Sequence, residues 1–405
     1  MEINESIIEF NPGILAGNTH KYNQENYPKY YEIWKKRGDL DGIPYAETGK
    51  NLQARVLAFV MNYLEKEDFN EIVVSHAGFI RCLVNTLEGR KRTTPIESSN
   101  GAVHIVDDIF KNLKIEQRQR AMASKVYIVE TADSKYVVKL KNRPVEKEDI
   151  LEKHLLKRMQ EGNIKLPTVL HASNEKHGST KVLEFVDGKH KYGRLTEHEL
   201  EALTQQVKRI HQLLKKESIE HYPKVDLYEM MQKMAENSKN EYVIKTANEI
   251  LSDKKNIEKM KQSKKCLVHN DLNRDNILFN EQDNDLEINI IDWEGIKAFP
   301  EDYQLASFLA SSILIEDGNM DEIMKLAHKF NSEVDENYIA YLMKIRIFTG
   351  LHFFAENKNE YTKSNPIVAR EILKKYFIAN EKINMYQKSK SKKIAVRKKD
   401  YVEER

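Results

Sequence analysis

The sequence predicts a bilobal α+β fold that is preceded by a shorter, incomplete α/β region. Three observations support this. Two short apolar strands, 125–130 and 136–140, are joined by turn residues at 131–134, as in a hairpin. Beyond residue 196 the apolar residues recur at helical spacing, which predicts a helical second lobe. Ahead of both, residues 71–81 have the pattern of a strand that turns through a glycine into a helix.

Composition favours a cytoplasmic protein of several domains. A length of 405 residues predicts two or three domains, and the charges nearly cancel at a formal net charge of +2. No apolar run is long enough to span a bilayer, so we expect no membrane insertion. With only Cys82 and Cys266, neither a disulfide framework nor a zinc site is expected. The basic tail, 387–405, is interpreted as solvated, and no nucleic-acid partner is expected.

The most informative stretch is 267–292, where three short apolar strands bracket polar residues. Asp271 and Asn276 lie on the loop between the first two strands, and Asp292 follows the third. Turn residues at 283–285 predict that the second and third strands form a hairpin. We therefore expect the three polar side chains to lie close together.

Their spacing is typical of phosphoryl transfer. An Asp two residues after His269 can accept the proton of an attacking hydroxyl, an Asn five residues further on can hold a metal, and an Asp at the next strand end can bridge Mg²⁺ to nucleotide phosphates. A single Asp or Asn on a loop is usually a turn former or a helix cap. The whole set rarely arises by chance, and His269 is expected to orient the loop.

On these residues, the region from about 115 to 385 resembles the aminoglycoside phosphotransferase and choline kinase superfamily, whose fold is similar to that of protein kinases. The resemblance implies ATP and Mg²⁺ as cofactors and a small-molecule hydroxyl as acceptor. It gives Asp271 the role of catalytic base, and Asn276 and Asp292 the role of metal ligands. The acceptors that it implies are aminoglycosides, choline or ethanolamine, and vitamin or sugar alcohols.

The resemblance also implies an ATP-binding lobe. Lys139, on the second strand of the predicted hairpin, would contact the nucleotide phosphates. Its partner would be Glu152, preferred over Glu148, on the helix that follows. Backbone groups near Glu184 and Val186 would meet the adenine edge.

Two departures from the family pattern stand out. The phosphate-covering loop, 120–124, contains no glycine, although its small residues, including Ser124, still allow a phosphate to approach. Gln304 stands where the family usually has Asp before Leu-Ala, and Asp302 is a possible substitute. Neither departure affects the predicted catalytic base or metal ligands.

The sequence of the second lobe predicts several helices. Thr196 and Glu199 form a capping box, and further helices are predicted at 305–315 and 338–354. The aromatic residues of the last helix could line an acceptor site, but a stripe at this spacing is more often core.

The first region is similar to the histidine phosphatase (phosphoglycerate mutase-like) superfamily. His76, in the strand-turn-helix segment, matches its second histidine, Glu9 its catalytic acid, and Glu47 with Arg55 a further motif. The nucleophilic histidine of the family's Arg-His-Gly segment is not found in the sequence. We therefore expect the region to be either a remnant supported by the kinase or the result of a misplaced start codon.

The predicted boundaries are 1–112 for the phosphatase-like region, 113–386 for the kinase domain and 387–405 for the tail. The rival hypothesis is a non-catalytic nucleotide-binding or scaffold protein, favoured by the glycine-free loop and the incomplete first region. ATP turnover with a panel of acceptors distinguishes the two.

Overall fold

The structure is a computed structural model, and it describes the chain except for a set of short segments. These are residues 1–6, 37–39, 65–71, 97–101, 107, 119–123, 145–146, 162–163, 165, 176–177, 194, 283–284, 317–318, 357–365 and 404–405. The chain divides into two compact units: Met1–Lys153 with Pro167–Phe185, and His154–Leu166 with Val186–Arg405. Among the described residues, no helix is both long and apolar enough to cross a membrane.

Among the described residues, four α-helices precede the sheet of the first unit. They are α1 (His20–Asn26), α2 (Pro28–Lys35), α3 (Gly49–Met61) and α4 (Ala77–Leu87). Threonine hydroxyls cap two of them: Thr19 accepts from the Tyr22 amide, and Thr48 accepts from the Asn51 amide at 3.1 Å. Each cap satisfies one of the backbone donors that a helix start leaves without an intrahelical partner.

A five-stranded antiparallel sheet completes this unit. Its strands are β1 (Lys114–Arg118), β2 (Lys125–Glu130), β3 (Lys135–Lys141), β4 (Val169–Glu175) and β5 (Gly178–Glu184), in the order β1-β2-β3-β5-β4. The predicted β2–β3 hairpin is present, and the Thr131 N–H donates to the Ser134 carbonyl at 2.9 Å across its turn. Alternation along β3 buries Tyr136 and Val138, while Lys139 on the opposite face is only partly buried.

Helix α3 packs against this sheet. The Tyr136 hydroxyl donates to Gln53 Oε1 at 2.6 Å, and the Thr180 hydroxyl donates to Asn62 Oδ1 at 3.1 Å. Helices and strands share one hydrophobic core, which includes Val56, Leu57, Phe59, Phe79, Val129, Val138 and Val182. The phosphatase-like helices therefore stabilise the sheet by burying its apolar face.

Two segments with strand-like sequences, 72–76 and 102–106, belong to no sheet within the described part of the chain. One side of each packs on the core. On the other side four side chains are 80–94 % exposed: Ile72, Val74, Val103 and Ile105. A parallel sheet normally has both faces covered, and among the residues that the structure describes these two segments have no neighbouring strand. These four apolar side chains are thus uncovered in the structure.

The second unit is mainly helical. Helix α5 (Lys147–Glu161) begins in the residues of the first unit and ends in those of the second. The helices that follow are α6 (Glu197–Leu214), α7 (Leu227–Asn237), α8 (Glu241–Leu251), α9 (Lys254–Gln262), α10 (Tyr303–Glu316), α11 (Met320–Phe330), α12 (Glu336–Ala355) and α13 (Pro366–Glu403). The predicted capping box is formed at the start of α6, because Thr196 and Glu199 each accept from the other's backbone amide. Helices α10 and α12 contain the two predicted helices, 305–315 and 338–354.

Two small antiparallel sheets lie between α9 and α10. Strand β6 (Lys265–Val268) pairs with β9 (Lys297–Pro300), and β7 (Ile277–Gln282) pairs with β8 (Asp285–Ile290). The β7–β8 hairpin confirms the predicted one, although residues 283–284 of its turn lie outside the described part. These sheets carry the polar residues singled out in the sequence.

Helix α13 extends through the predicted tail. The Tyr386 hydroxyl donates to Glu336 Oε2 at 2.6 Å, and the Lys390 ammonium lies 2.6 Å from the same oxygen. These contacts, with the hydrogen bond from His328, lower the pKa of Glu336 to about 2. The start of the predicted tail is thus attached to α12.

Candidate functional site

The loop between β6 and β7 is held by His269, which is 2 % exposed. Its Nε2 lies 3.0 Å from the Ile291 carbonyl just after β8, and its ring packs edge-on against Trp293 at 4.7 Å. Burial lowers the pKa of His269, so the ring is neutral at neutral pH. A neutral ring bonded to a carbonyl carries its proton on Nε2. His269 therefore fixes the loop against the end of β8.

Asp271 lies on this loop within a set of side-chain donors. Asn273 Nδ2 donates to its Oδ1 at 2.9 Å, and Asn276 Nδ2 donates to its Oδ2 at 3.1 Å and to its carbonyl at 2.8 Å. The Asp271 side chain is 47 % exposed. The carboxylate is thus oriented by amides and still open to a ligand, which suits a proton acceptor.

Asn276 and Asp292 are brought together by the β7–β8 hairpin. Ile277 pairs with Ile290, and the Ile291 amide donates to the Asn276 carbonyl at 2.9 Å. Asp292 follows in the left-handed conformation, with φ 64° and ψ 58°. Residues other than glycine adopt this conformation uncommonly, and such positions concentrate at functional sites.

These residues fit a divalent cation that also binds phosphates. The Asn276 amide nitrogen is committed to Asp271, which leaves its Oδ1 as an oxygen ligand, and Asp292 supplies a carboxylate. No group of three or more His, Cys, Asp or Glu that could hold a metal occurs among the described residues. Mg²⁺ is commonly held by one or two carboxylates together with substrate phosphates, so a small protein ligand set is the expected one.

Gln304 supports the same loop from α10. Its Oε1 accepts from the His269 amide at 3.3 Å, and its side chain is 1 % exposed. Asp302 instead lies just before α10, where burial raises the pKa of its carboxyl and its carbonyl accepts from the Ala306 amide. The contact with the loop is thus made by Gln304 itself, and not by Asp302 as the sequence suggested.

Sequence reasoning missed Arg346. This residue lies on α12, and its Nη2 donates to Asp271 Oδ1 at 2.8 Å. In the sequence, the segment of α12 shows a stripe of aromatic residues, which is typical of core and could also line an acceptor site. A charged residue in the middle of so apolar a helix was the available signal, because such a charge is retained in a buried position only with a partner.

In the first unit, Lys139 on β3 is paired in register with Lys181 on β5, so both side chains lie on one face. The Lys181 ammonium lies 2.6 Å from the Glu152 carboxylate, and these side chains are 3 % and 2 % exposed. Glu152 was predicted to partner Lys139, and the structure places it in a buried ion pair with Lys181, a partner that the sequence did not reveal. A lysine in a strand leaves no signal of which helix residue it will meet.

The other predicted ATP-binding residues are placed as follows. Ser124, half-buried, directly precedes β2, whereas residues 120–123 of the glycine-free loop lie outside the described part of the chain. Glu184 ends β5, and its carboxylate contacts Lys50 Nζ at 2.6 Å and Thr168 Oγ1 at 3.0 Å. Val186 is half-buried at the start of the second unit's main segment. The Glu184 side chain is therefore committed to contacts within the first unit.

The phosphatase-like residues form structural contacts. Glu9 Oε1 accepts from the Phe10 amide at 3.0 Å, and both side chains lie so close to Gly78 that an added Cβ would clash with them. Arg55 donates to both carboxylate oxygens of Glu47, at 2.9 and 2.8 Å, in an ion pair that is largely buried. His76 is exposed and precedes α4. The Arg55 guanidinium is thus occupied by Glu47.

Comparisons with known proteins identify the families and the fold that the chain resembles. The model of the histidine phosphatase superfamily (branch 1) matches residues 1–115, and no curated protein sequence matches the chain. Three similar solved structures are aminoglycoside phosphotransferases. An APH(2″) enzyme with GDP and kanamycin has a TM-score of 0.51 at 13 % identity, over 67 % of this chain and 93 % of that one. A thermostable mutant of APH(4)-Ia with ADP and hygromycin B gives 0.51 at 12 %, over 67 % and 95 %. An apo form of a thermostable APH(4)-Ia mutant has a TM-score of 0.52 at 11 % identity, over 68 % of this chain and 96 % of that one.

These likenesses establish the kinase-like fold that the sequence predicted. The identities are too low to carry more than the fold. The model of the phosphotransferase enzyme family (APH) matches residues 114–329, more than half of the chain, and this span includes the loop of Asp271 and the β7–β8 hairpin. The chain therefore belongs to the phosphotransferase enzyme family.

Proposed function

We propose that this protein is an ATP- and Mg²⁺-dependent kinase that phosphorylates a hydroxyl group of a small molecule. The observation that carries the proposal is the grouping of the oriented Asp271 carboxylate with Asn276 and Asp292 at the β7–β8 hairpin. A base, a metal-binding amide oxygen and a metal-binding carboxylate are the protein groups that phosphoryl transfer to an alcohol requires.

The reaction follows from these groups. The acceptor hydroxyl gives its proton to the Asp271 carboxylate, and its oxygen forms a bond to the γ-phosphorus of ATP. The bond between that phosphorus and the oxygen bridging to the β-phosphate breaks, so the electron pair leaves with ADP. The products are the phosphorylated acceptor, ADP and a proton, which Asp271 releases to solvent.

Asn276 Oδ1 and the Asp292 carboxylate would hold the magnesium ion. The ion would supply neutralisation of the phosphate charge, which these two residues alone cannot provide. Asn276 has a second task, because its amide nitrogen orients Asp271.

The nucleotide-binding residues are proposed from the family. Lys139 would contact the phosphates, with Glu152 and Lys181 as the buried ion pair beside it. Ser124 would lie in the phosphate-covering loop, and backbone groups at Glu184 and Val186 would meet the adenine edge. Structural neighbours bind GDP and ADP, which supports a purine nucleotide.

The acceptor classes that the family supports are aminoglycosides, choline or ethanolamine, and vitamin or sugar alcohols. Neighbouring structures contain kanamycin and hygromycin B. The second candidate, a non-catalytic nucleotide-binding or scaffold protein, is motivated by the extensive packing of the phosphatase-like helices on the β-sheet.

The deciding experiment is phosphate transfer from γ-labelled ATP to a panel of these acceptors, with Mg²⁺ and with EDTA. Transfer that requires Mg²⁺ and is lost in Asp271→Asn supports the kinase. Nucleotide binding without transfer to any acceptor supports the scaffold instead.

A further inference from the structure

Arg346 holds the Asp271 carboxylate from helix α12. Its Nη2 donates to Asp271 Oδ1 at 2.8 Å, while its Nε donates to Ser307 Oγ on α10 at 3.3 Å and its Nη1 to Thr349 Oγ1 at 3.4 Å. The Thr349 hydroxyl donates its own hydrogen bond to the Arg346 carbonyl at 2.8 Å. Its oxygen can therefore accept from the guanidinium. Residues of α10 and α12 thus hold the planar guanidinium of Arg346, and the guanidinium in turn orients the Asp271 carboxylate.

The hydrogen bonds to Asp271 define where an acceptor can bind. A carboxylate oxygen accepts about two hydrogen bonds. Oδ1 takes one from Arg346 and one from Asn273, whereas Oδ2 takes one from Asn276. Within the described part of the chain, Oδ2 therefore keeps an acceptor position, and the reacting hydroxyl would donate there.

The same contact sets the charge beside that position. The side chains of Arg346 and Asp271 are 23 % and 47 % exposed, and together they form a nearly neutral pair. An ammonium group next to the reacting hydroxyl would gain little from a carboxylate that is already neutralised, and it would lie near a fixed guanidinium of like charge. A neutral or anionic oxygen there can instead accept from the guanidinium, whose described bonds use three of its five N–H groups.

We propose, building on the kinase function above, that Arg346 is a positioning residue for Asp271 and selects an acceptor that is neutral or anionic beside the hydroxyl it phosphorylates. Polyamine acceptors such as aminoglycosides are then poor substrates. The chemical step is the one given above, with Asp271 Oδ2 receiving the proton.

The first test measures kcat/KM of the full chain with Mg²⁺ and ATP for three sets of probes. The cationic set is kanamycin and hygromycin B, the neutral set is myo-inositol and sorbitol, and the anionic set is gluconate and glycerate. We expect the best neutral or anionic probe to exceed the best cationic one by at least about tenfold. Arg346→Met should reduce this ratio, and Arg346→Lys, which keeps the charge, should largely retain it.

The second test separates positioning from folding. Arg346→Met should lower kcat by up to about a hundredfold without changing the KM for ATP, because the base is misplaced while the nucleotide groups are intact. In an Asp271→Asn background, Arg346→Met should lower kcat hardly any further, because Arg346 acts through the Asp271 carboxylate. Lys259→Met, which removes an ion pair with Asp335 in the same unit, serves as the matched control and should leave kcat unchanged.

The outcomes distinguish the two proposals. Absence of transfer to every probe, and also to the choline, ethanolamine and vitamin-alcohol acceptors of the panel above, overturns the kinase function itself. Transfer that favours aminoglycosides, or independent and additive losses in the Asp271→Asn/Arg346→Met double variant, overturns the role of Arg346 and leaves the kinase function standing. Equal loss of ATP binding in Arg346→Met and Arg346→Lys would also overturn it, because it would make the residue a general structural support.

Discussion

The Tyr136 hydroxyl on β3 donates a 2.6 Å hydrogen bond to Gln53 Oε1 on α3. Both side chains are buried, at 1 % and 0 % exposure. The Gln53 amide nitrogen donates in turn to Thr86 Oγ1 at 3.3 Å and to Asp133 Oδ2 at 3.2 Å. One amide therefore links α3, α4 and the β2–β3 turn, and it joins the phosphatase-like region to strands of the phosphotransferase region.

Tyr136→Phe should lower the free energy of unfolding by about 1–3 kcal/mol, because it leaves the buried Gln53 oxygen without that donor. Urea denaturation measures the change. The matched control is Tyr22→Phe in the same unit, where the side chain is 46 % exposed and the effect should be small. Similar losses in both variants would mean that the link between α3 and β3 contributes little.

Lys181→Met should destabilise the protein by about 3–5 kcal/mol, because it removes the ammonium that pairs with the buried Glu152 carboxylate. The double variant Glu152→Leu/Lys181→Met should recover part of this loss, since no unpaired charge remains. Lys50→Met, whose ion pair with Glu184 is 46 % and 37 % exposed, should cost under about 1 kcal/mol. The denaturant midpoints of the three variants test whether their losses of stability fall in this order.

Asp271→Asn should reduce phosphate transfer by at least about a hundredfold and leave ATP binding nearly unchanged, because it removes the base but keeps the shape of the side chain. Titration calorimetry with a non-hydrolysable ATP analogue measures the nucleotide affinity of the wild type and the variant. A parallel loss of binding would point to Asp271 as a structural residue of the loop.

Asp292→Ala should abolish Mg²⁺-dependent nucleotide binding or turnover, because the phosphate charge then lacks the carboxylate that holds its counter-ion. The comparison is the ATP affinity with Mg²⁺ and with EDTA, in the wild type and the variant. Asp321→Ala, an exposed carboxylate in the first turn of α11, is the control. If the ATP affinity of Asp292→Ala still depended on Mg²⁺ as in the wild type, Asp292 would not be a metal ligand.

Stability should fall in acid partly through His171. Burial, helped by Arg55 and Lys153, lowers the pKa of His171 from 6.5 to about 4. The unfolded chain takes up the proton near pH 6.5 and the folded chain only near pH 4, so stability is lost as the pH falls through this window. The loss approaches about 3 kcal/mol by pH 4.

The test for His171 is the free energy of unfolding measured from pH 7 to pH 4. His171→Gln cannot take up the proton, so its stability should fall less steeply than that of the wild type. His221→Gln, which alters an exposed histidine, should leave the slope as it is. A slope that His171→Gln does not change would show that other groups control the acid response.

The sequence by itself determined the local features. The β7–β8 hairpin and the capping box of Thr196 and Glu199 follow from turn residues and periodicity, because both depend on neighbours only a few residues apart. The grouping of Asp271, Asn276 and Asp292 could be predicted for the same reason, since one hairpin and its adjoining loop contain all three. The kinase-like fold followed from the resemblance of the sequence to the aminoglycoside phosphotransferase and choline kinase superfamily.

Only the tertiary structure decided which distant side chains meet. Arg346 and Asp271 are 75 residues apart, Lys181 and Glu152 are 29 apart, and Tyr136 and Gln53 are 83 apart. A charged or polar residue needs a partner once it is buried, but several partners satisfy that need equally well in the sequence. Packing of α12, β5 and α3 selects among them, because hydrogen bonds and ion pairs form only over a few ångströms.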